Sequence, residues 1–414
     1  MAENLPNGLR KVPVQDLLVG MFVARLDRPW AGTPFPVEGF FIRERDDILA
    51  LRLHCDFVYT DPKRSRLKLD VGIAPPKNVQ LKIEHGVYDA GIVPFKKEVD
   101  TAARLYPAIS SAMVDAMEQL IADGEFAYLA MYRIAAGIID GICRNPDTYA
   151  WSARVYDHET YAWRQEVRAA IRAAILARHI GLDKGQMLML FLGRLLAHLP
   201  EVLAGTSFGG NAGVSADEDR QRRKRQVQSA VEILRIVPGM DDEVLHIVQS
   251  HRERHDGSGY PDGLQQDRIP MLARLSGIAD YYEMLTNPRA NGEDAVASAE
   301  AASILNELRG TLFHGQIISE FIQAIGLYAT GSLVRLTTGE IAVVMEQNRE
   351  RRLKPTVMLL LKASMLPFRK RKIVDLYAEE EQSRGPAREI AKSLPHGMFG
   401  IDVRMAGKAS MFGF

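Results

Sequence analysis

The sequence predicts a mainly α-helical protein with a small α+β module at its N-terminus and a short β-meander near its C-terminus. Between Ile109 and Leu120 the apolar residues recur at helical spacing, which would place them on one face of a helix. After residue 330 the period changes to two, and a Thr338-Gly339 turn separates the apolar runs 332–336 and 341–345. This pattern indicates antiparallel strands.

The N-terminal module is predicted from short apolar runs at 39–42 and 57–59, which are typical of strands, around one short helix at 46–54. A third strand of the C-terminal meander is predicted at 357–361. The chain then divides into five predicted segments: the module at 1–61, a proline-containing linker at 62–98, a helical domain at 99–327, the meander at 328–378, and a charged, then Gly-rich tail at 379–414.

Composition excludes several classes of protein. The 52 Lys and Arg residues balance 52 Asp and Glu residues, so nothing indicates a bulk nucleic-acid binder, and the basic run Arg220–Arg225 is typical of a solvated helix face. Only two cysteines occur, which excludes a disulfide framework and favours a reducing compartment. The apolar run Met187–Leu192 is far shorter than the roughly 20 residues of a membrane helix, and residues 1–15 lack the apolar core of a signal peptide. We expect a cytoplasmic protein without a membrane or nucleic-acid partner.

One segment has no generic structural explanation. Residues 251–261 read His-Arg-Glu-Arg-His-Asp-Gly-Ser-Gly-Tyr-Pro, a helix that runs into a Gly-x-Gly-Tyr-Pro turn. The segment resembles the GYP motif of HD-GYP domains, and the stretches Ile269–Arg274 and Ile278–Tyr282 match the same family pattern. Residues 12–61 are similar to the small domain that precedes many HD-GYP domains. The GYP loop defined by this match consists of Asp256, Gly257, Gly259, Tyr260 and Pro261.

The resemblance implies an HD-type all-helical domain, a fold of metal-dependent phosphohydrolases that cut the bacterial second messenger cyclic di-GMP. Two or three iron or manganese ions, held by His, Asp and Glu side chains, activate a bridging hydroxide in such domains. Metal ions suit this chemistry because they supply a nucleophile at neutral pH and stabilise charge on the phosphoryl oxygens.

Most of the metal-ligand positions that the resemblance implies are replaced in this chain. Of seven positions, His251 and Asp280 are retained. Arg252 brings a fixed positive charge to a ligand position, where it would repel a dication. We therefore expect a degenerate domain without catalytic residues or a cofactor, and iron or manganese only if the site is active after all. Gln165 stands at the first ligand His, and Ala197 and His198 stand at the His-Asp dyad that gives the family its name. The other two replaced positions are Gln226 and Arg252.

Three functions remain open. Arg252, Arg274 and Arg289 match or adjoin the family's phosphate-binding positions, and arginines suit bidentate phosphate contacts, so the protein would be a cyclic di-GMP effector or a protein-interaction regulator in bacterial signalling. The resemblance implies a diguanylate cyclase domain or another signalling protein as its partner. The alternatives are an active cyclic di-GMP phosphodiesterase with a reduced metal site, and a scaffold that binds neither metal nor nucleotide. A purely structural role of the GYP loop, in which its glycines only shape the fold, also stays open.

Overall fold

The protein is described from a computed structural model. The structure describes residues 9–14, 17, 21–30, 33, 35, 39–42, 45–61, 82–123, 126–156, 163–200, 216–287, 295–382, 387–401 and 403. The chain divides into two compact units, Met1–Ala74 and Pro75–Phe414, and each is described by itself.

The first unit is a small antiparallel sheet with one helix. Its elements are β1 (Arg10–Pro13), β2 (Phe22–Leu26), β3 (Phe40–Phe41), α1 (Arg45–His54) and β4 (Phe57–Thr60), and the strand order is β1-β4-β2-β3. Val23, Leu51 and Val58 are fully buried between the sheet and the helix. The predicted α+β module is therefore confirmed in its element types.

The second unit is built mainly of helices. They are α2 (Phe95–Asp123), α3 (Tyr128–Arg144), α4 (Pro146–Val155), α5 (Arg164–His179), α6 (Lys184–Leu196), α7 (Ala216–Arg235), α8 (Asp242–Ser250), α9 (Met271–Thr286), α10 (Ser298–Glu307) and α11 (Gly315–Ile325).

Helix α5 is the centre of the helical domain. Thirteen of its residues are buried, five of them alanines, so α4, α6, α9 and α11 can all approach it closely. Two arginines on this buried helix, Arg168 and Arg172, pair with Glu283 of α9. Burial alone would raise the pKa of Glu283, but Arg172 and Arg168 hold it far below its ordinary value. This buried ion pair fixes α5 against α9.

A five-stranded antiparallel sheet follows the helices. Its strands are β5 (Leu333–Leu336), β6 (Ile341–Glu346), β7 (Thr356–Leu361), β8 (Pro367–Asp375) and β9 (Ile390–Leu394), in the order β8-β7-β6-β5-β9, and α12 (Leu376–Gln382) lies between β8 and β9. One face packs against Trp151 of α4 and Phe95 of α2. The sheet is thus part of the same compact unit as the helices.

The mainly α-helical fold class with β elements at both ends is confirmed, but three features differ from the expectation. The three-stranded meander is a five-stranded sheet, because β8 pairs with β7 inside the predicted meander segment and the predicted tail contributes β9 beside β5. Helix α2 begins at Phe95, inside the predicted linker, and α4 was not predicted. Residues 62–81 of the linker and 404–414 of the tail lie outside the described residues. In the part of the chain that is described, no helix has the length and apolar character needed to span a bilayer.

Candidate functional site

Six ionisable side chains from the helices α5, α6, α8 and α9 and their ends meet in the interior of the second unit. The Arg252 side chain is 12% exposed, and the other five are almost fully buried. We call this group the central cluster, and its members are Glu166, Arg194, His198, His251, Arg252 and Asp280.

Local sequence explains how these side chains come together. Glu166 lies in the first turn of α5. Arg194 lies in the last turn of α6, and His198 follows it by four residues, which places both on one side of the chain. A Cβ atom at Gly277 would lie 2.8 Å from the carbonyl oxygen of His251, so glycine is needed for α9 to approach the end of α8. This close approach brings Asp280, one turn later, beside His251.

One half of the central cluster is centred on Glu166. Its carboxylate forms an ion pair with the Nη2 of Arg194, and its Oε1 lies 2.9 Å from the Nδ1 of His198. The same Nδ1 lies 2.8 Å from the Nη2 of Arg194. Glu166, Arg194 and His198 therefore form a closed triangle of polar contacts.

The other half is centred on Asp280. The Nη1 of Arg252 lies 2.9 Å from Oδ2 of Asp280, and the Nη1 of Arg194 lies 3.3 Å from Oδ1. The Nη2 of Arg252 also lies 2.7 Å from the Nε2 of His198, which is 3.3 Å from the Nε2 of His251. His251 and Asp280, the two positions at which the resemblance implies retained ligands, thus lie near the same two guanidinium groups.

The charges of the cluster act on its titratable groups. Burial alone would raise the pKa of Asp280, but the guanidinium groups of Arg252 and Arg194 hold this pKa far below its ordinary value. Burial, followed by the charges of His198, Arg252 and Arg194, lowers the pKa of His251 well below its ordinary range. Asp280 is therefore ionised and His251 is neutral at physiological pH.

Guanidinium groups lie against the side chains that would have to hold metal ions. The Nε2 of His198 lies 2.7 Å from a guanidinium nitrogen of Arg252. Each carboxylate oxygen of Asp280 lies within 3.3 Å of a guanidinium nitrogen, one from Arg252 and the other from Arg194. Within the central cluster, the carboxylates of Glu166 and Asp280 already balance the charge of the two guanidinium groups. A dication 4 Å from a guanidinium group would be repelled by on the order of 8 kcal/mol at an effective dielectric constant of about 20.

The GYP loop next to the central cluster is held by two charged side chains. The buried carboxylate of Glu253 accepts the backbone N–H groups of Asp262 at 2.7 Å and Leu264 at 3.0 Å. Arg220 of α7 donates to the carbonyl oxygens of Ser258 and Gly259, both at 2.8 Å. The loop is therefore held in its middle by α7, and the chain directly after Pro261 is held by Glu253.

Within the loop, the conformation is local and compact. Asp256 accepts hydrogen bonds from the backbone and the hydroxyl of Ser258. A Cβ atom at Gly259 would lie 2.3 Å from the backbone nitrogen of Arg254, so this position requires glycine. Tyr260 is half-buried with the guanidinium of Arg220 over its ring, and Pro261 is buried.

The other predicted positions lie elsewhere. Arg274 donates to the carbonyl oxygen of Ile269 and pairs with Asp267 at 3.0 Å, and no contact joins it to the central cluster among the residues described. Gln165 and Gln226 are half-buried. Ala197 is buried directly after α6. Arg289 lies outside the described residues.

Sequence reasoning missed Glu166, Arg194 and Arg220. The first two are charged residues within the buried helices α5 and α6, and a charge at a buried helical position is itself a signal of an internal ion pair. Arg220 belongs to the basic run that we interpreted as a solvated helix face, and nothing in the run indicates that its first member reaches the GYP loop. His198, which the resemblance implies as a replaced position, lies in the middle of the central cluster.

Comparison with known families matches residues 9–130 to a domain of unknown function (DUF3391) and residues 154–317 to the HD domain. The second match contains all six residues of the central cluster and the GYP loop. The first match extends past the predicted N-terminal module into α2 and α3.

Curated relatives of this chain are phosphodiesterases. A cyclic di-GMP phosphodiesterase of Pseudomonas aeruginosa is 28% identical over 387 residues, which cover 89% of each chain. The cyclic di-GMP phosphodiesterase response regulator RpfG of Xanthomonas campestris is 26% identical over 171 residues, 39% of this chain and 44% of its own length. Among solved structures, an HDG"Y"P protein of Bdellovibrio bacteriovorus is 17% identical with a TM-score of 0.44, over 75% of this chain and 97% of that chain.

Proposed function

Because this chain belongs to the HD-GYP family, we propose that it is a non-hydrolysing regulator in cyclic di-GMP signalling, which binds the nucleotide without cutting it. The observation that carries this proposal is the position of Arg252. Its guanidinium group lies within 2.9 Å of both His198 and Asp280, where a metal-dependent enzyme would need free ligand atoms.

Hydrolysis without a metal is poorly served by the same residues. A general base works best when its pKa lies near the working pH. The pKa of Asp280 is far below that range, and burial together with His198 lowers that of His251 as well. Both groups are weak bases, and neither supplies the charge stabilisation that phosphodiester attack requires.

Nucleotide binding is supported by the chemistry and exposure of Arg252. A guanidinium group donates two parallel hydrogen bonds to a phosphate, and cyclic di-GMP carries two phosphates. Arg252 is the member of the central cluster that reaches the surface, with 12% of its side chain exposed. We infer cyclic di-GMP as the ligand because the Pseudomonas relative is a cyclic di-GMP phosphodiesterase.

Calorimetric titration of the full-length protein with cyclic di-GMP in the presence of EDTA tests this function. We expect binding that Arg252→Gln weakens at least tenfold, since one charged phosphate contact is lost. The control is Arg268→Gln, which removes an exposed arginine outside the cluster. Affinity that is the same in both variants would remove Arg252 from the site, and turnover on addition of Mn²⁺ would overturn the proposal.

A second candidate is a scaffold that binds no nucleotide. It is favoured by the internal pairing of Arg252 and by the fixed GYP loop, whose Glu253 and Arg220 contacts need no ligand. If the titration detects no cyclic di-GMP binding, capture of a diguanylate cyclase domain by the wild type, and its loss in Tyr260→Ala, would support this function instead.

A further inference from the structure

Two histidines and a glutamate from three separate segments meet outside the central cluster. His85 lies in the segment before α2, His179 ends α5, and Glu320 lies in the middle of α11. The Nε2 of His85 is 2.8 Å from Oε2 of Glu320, and the Nε2 of His179 is 3.1 Å from the same oxygen. The group shares no residue with the site proposed for the nucleotide.

Hydrogen bonding leaves part of this arrangement unexplained. The Nε2 atom of His179 is buried, yet its approach to Glu320 does not have the geometry of a hydrogen bond. The two imidazole rings lie 4.8 Å apart at a tilt of 40°, and both direct Nε2 toward one carboxylate oxygen. Three potential donor atoms thus converge within 4.8 Å of one another.

The donor set is that of a transition-metal site. Neutral imidazole and carboxylate are the ligands that Zn²⁺ and its neighbours in the first row prefer, and three protein ligands leave a fourth position for water. Each of the two imidazoles offers one ring nitrogen to a cation. Glu320 supplies the negative charge.

The surroundings leave room for that fourth ligand. His85 and His179 line an open cavity of about 320 Å³ whose wall also includes Arg178 and Arg352. The positive charge of Arg352 acts on His179 and opposes the binding of a cation there. The backbone N–H of Glu84 donates to the carbonyl oxygen of Ile180 at 3.0 Å, so the segment that carries His85 is already docked on the end of α5.

We propose that His85, His179 and Glu320 bind one divalent cation of the zinc type. The ion would tie the segment before α2 to the C-terminal end of α5 and to α11. It differs in place and ligands from the iron or manganese centre that the family resemblance implies.

The test uses the full-length protein freed of metal by a chelator and then dialysed. Titration with Co²⁺, followed by its visible absorption, should show one ion per chain, and Zn²⁺ should displace it. We expect His85→Gln and Glu320→Gln to weaken binding at least tenfold, because each removes one of three ligands. Zn²⁺ should also raise the Tm of the wild type and leave that of His85→Gln unchanged.

The control is His314→Gln. His314 lies next to His255, with ring centroids 5.4 Å apart, in a pair of histidines for which no carboxylate ligand is found among the described residues. This variant should bind Co²⁺ as the wild type does. The His85 side chain is half-exposed, so its replacement leaves the core intact, and circular dichroism will verify the fold. No stoichiometric binding, or binding that survives both ligand variants, would overturn the proposal.

Discussion

Arg252 and Asp280 form an ion pair, in which Nη1 of the arginine lies 2.9 Å from Oδ2 of the aspartate. Asp280 occupies a position where the family resemblance implies a metal ligand, and its carboxylate is 1% exposed. A buried carboxylate needs a positive partner, and here guanidinium groups supply the charge that a cation would otherwise supply. The pair explains how this aspartate can stay buried and ionised inside the HD domain.

Removal of Arg194 should destabilise the protein strongly. Arg194→Met leaves the carboxylates of Glu166 and Asp280 buried beside an apolar side chain, and we expect a loss of about 3–5 kcal/mol in the free energy of unfolding. Urea denaturation measures the loss. Arg268→Met, at an exposed position, should change stability by less than about 0.5 kcal/mol. Equal stability of the two variants would show that the central cluster contributes no net pairing energy.

Gly259→Ala should disrupt the GYP loop. Its Cβ atom would lie 2.3 Å from the backbone nitrogen of Arg254 and 2.6 Å from the carbonyl oxygen of Arg252, and neither backbone atom can move freely. We expect the free energy of unfolding, measured by urea denaturation, to fall by at least about 2 kcal/mol. The matched control is Gly91→Ala, whose Cβ atom would meet nothing within 4 Å. A Gly259→Ala protein as stable as this control would contradict the described path of the loop.

Stability should depend on pH through Glu346. Burial, and then the charge of Asp147, raise the pKa of Glu346 from 4.5 to about 7. The folded protein therefore keeps a proton that the unfolded chain releases between pH 4.5 and 7, so this contribution to stability falls as pH rises through that window and is constant above it.

Glu346→Gln removes the titrating group. From pH 5 to pH 8, we expect the free energy of unfolding of the variant to rise relative to that of the wild type by on the order of 1 kcal/mol. This value is reduced for the partial exposure of the side chain. Urea denaturation at both pH values measures it. Glu350→Gln, at an exposed position, is the control and should show no such gain. A gain of equal size in both variants would exclude Glu346 as its source.

The strand β9 should be essential for the stability of the second unit. Leu394 is 4% exposed and packs in the same apolar cluster as Trp151 and Phe95. Leu394→Ala should therefore lower the free energy of unfolding by about 2–4 kcal/mol. Leu366→Ala, at a residue that is 61% exposed, should cost little. If thermal and urea denaturation show the two variants to be alike, β9 does not pack as described.

The elements that sequence could predict are those with a long, regular period or a local start signal. The helical period across 109–120 predicts α2, and the Thr338-Gly339 turn predicts the pairing of β5 with β6. The start of α4 was missed although it was readable, since Asn145 caps the helix and Pro146 occupies its first turn.

Other elements depend on distant partners. Strand β9 is five residues long, with exposed Ala391 and Lys392 at its centre, and it is ordered by pairing with β5, which lies more than fifty residues earlier. In the same way, a charge at a buried helical position signals an ion pair but not its partner. The ligand count singled out Arg252, whereas the contacts of Arg194 with Glu166 and Asp280 depend on how α5, α6 and α9 pack.

The most direct test of the account is a turnover assay. Full-length protein at high concentration is incubated with cyclic di-GMP and either Mn²⁺ or Fe²⁺, and the nucleotides are separated by chromatography. We predict that cyclic di-GMP remains intact, because Arg252 and Arg194 occupy the surroundings of His198 and Asp280. Accumulation of linear dinucleotide or GMP, abolished by Asp280→Ala, would contradict the account and identify the protein as an active phosphodiesterase.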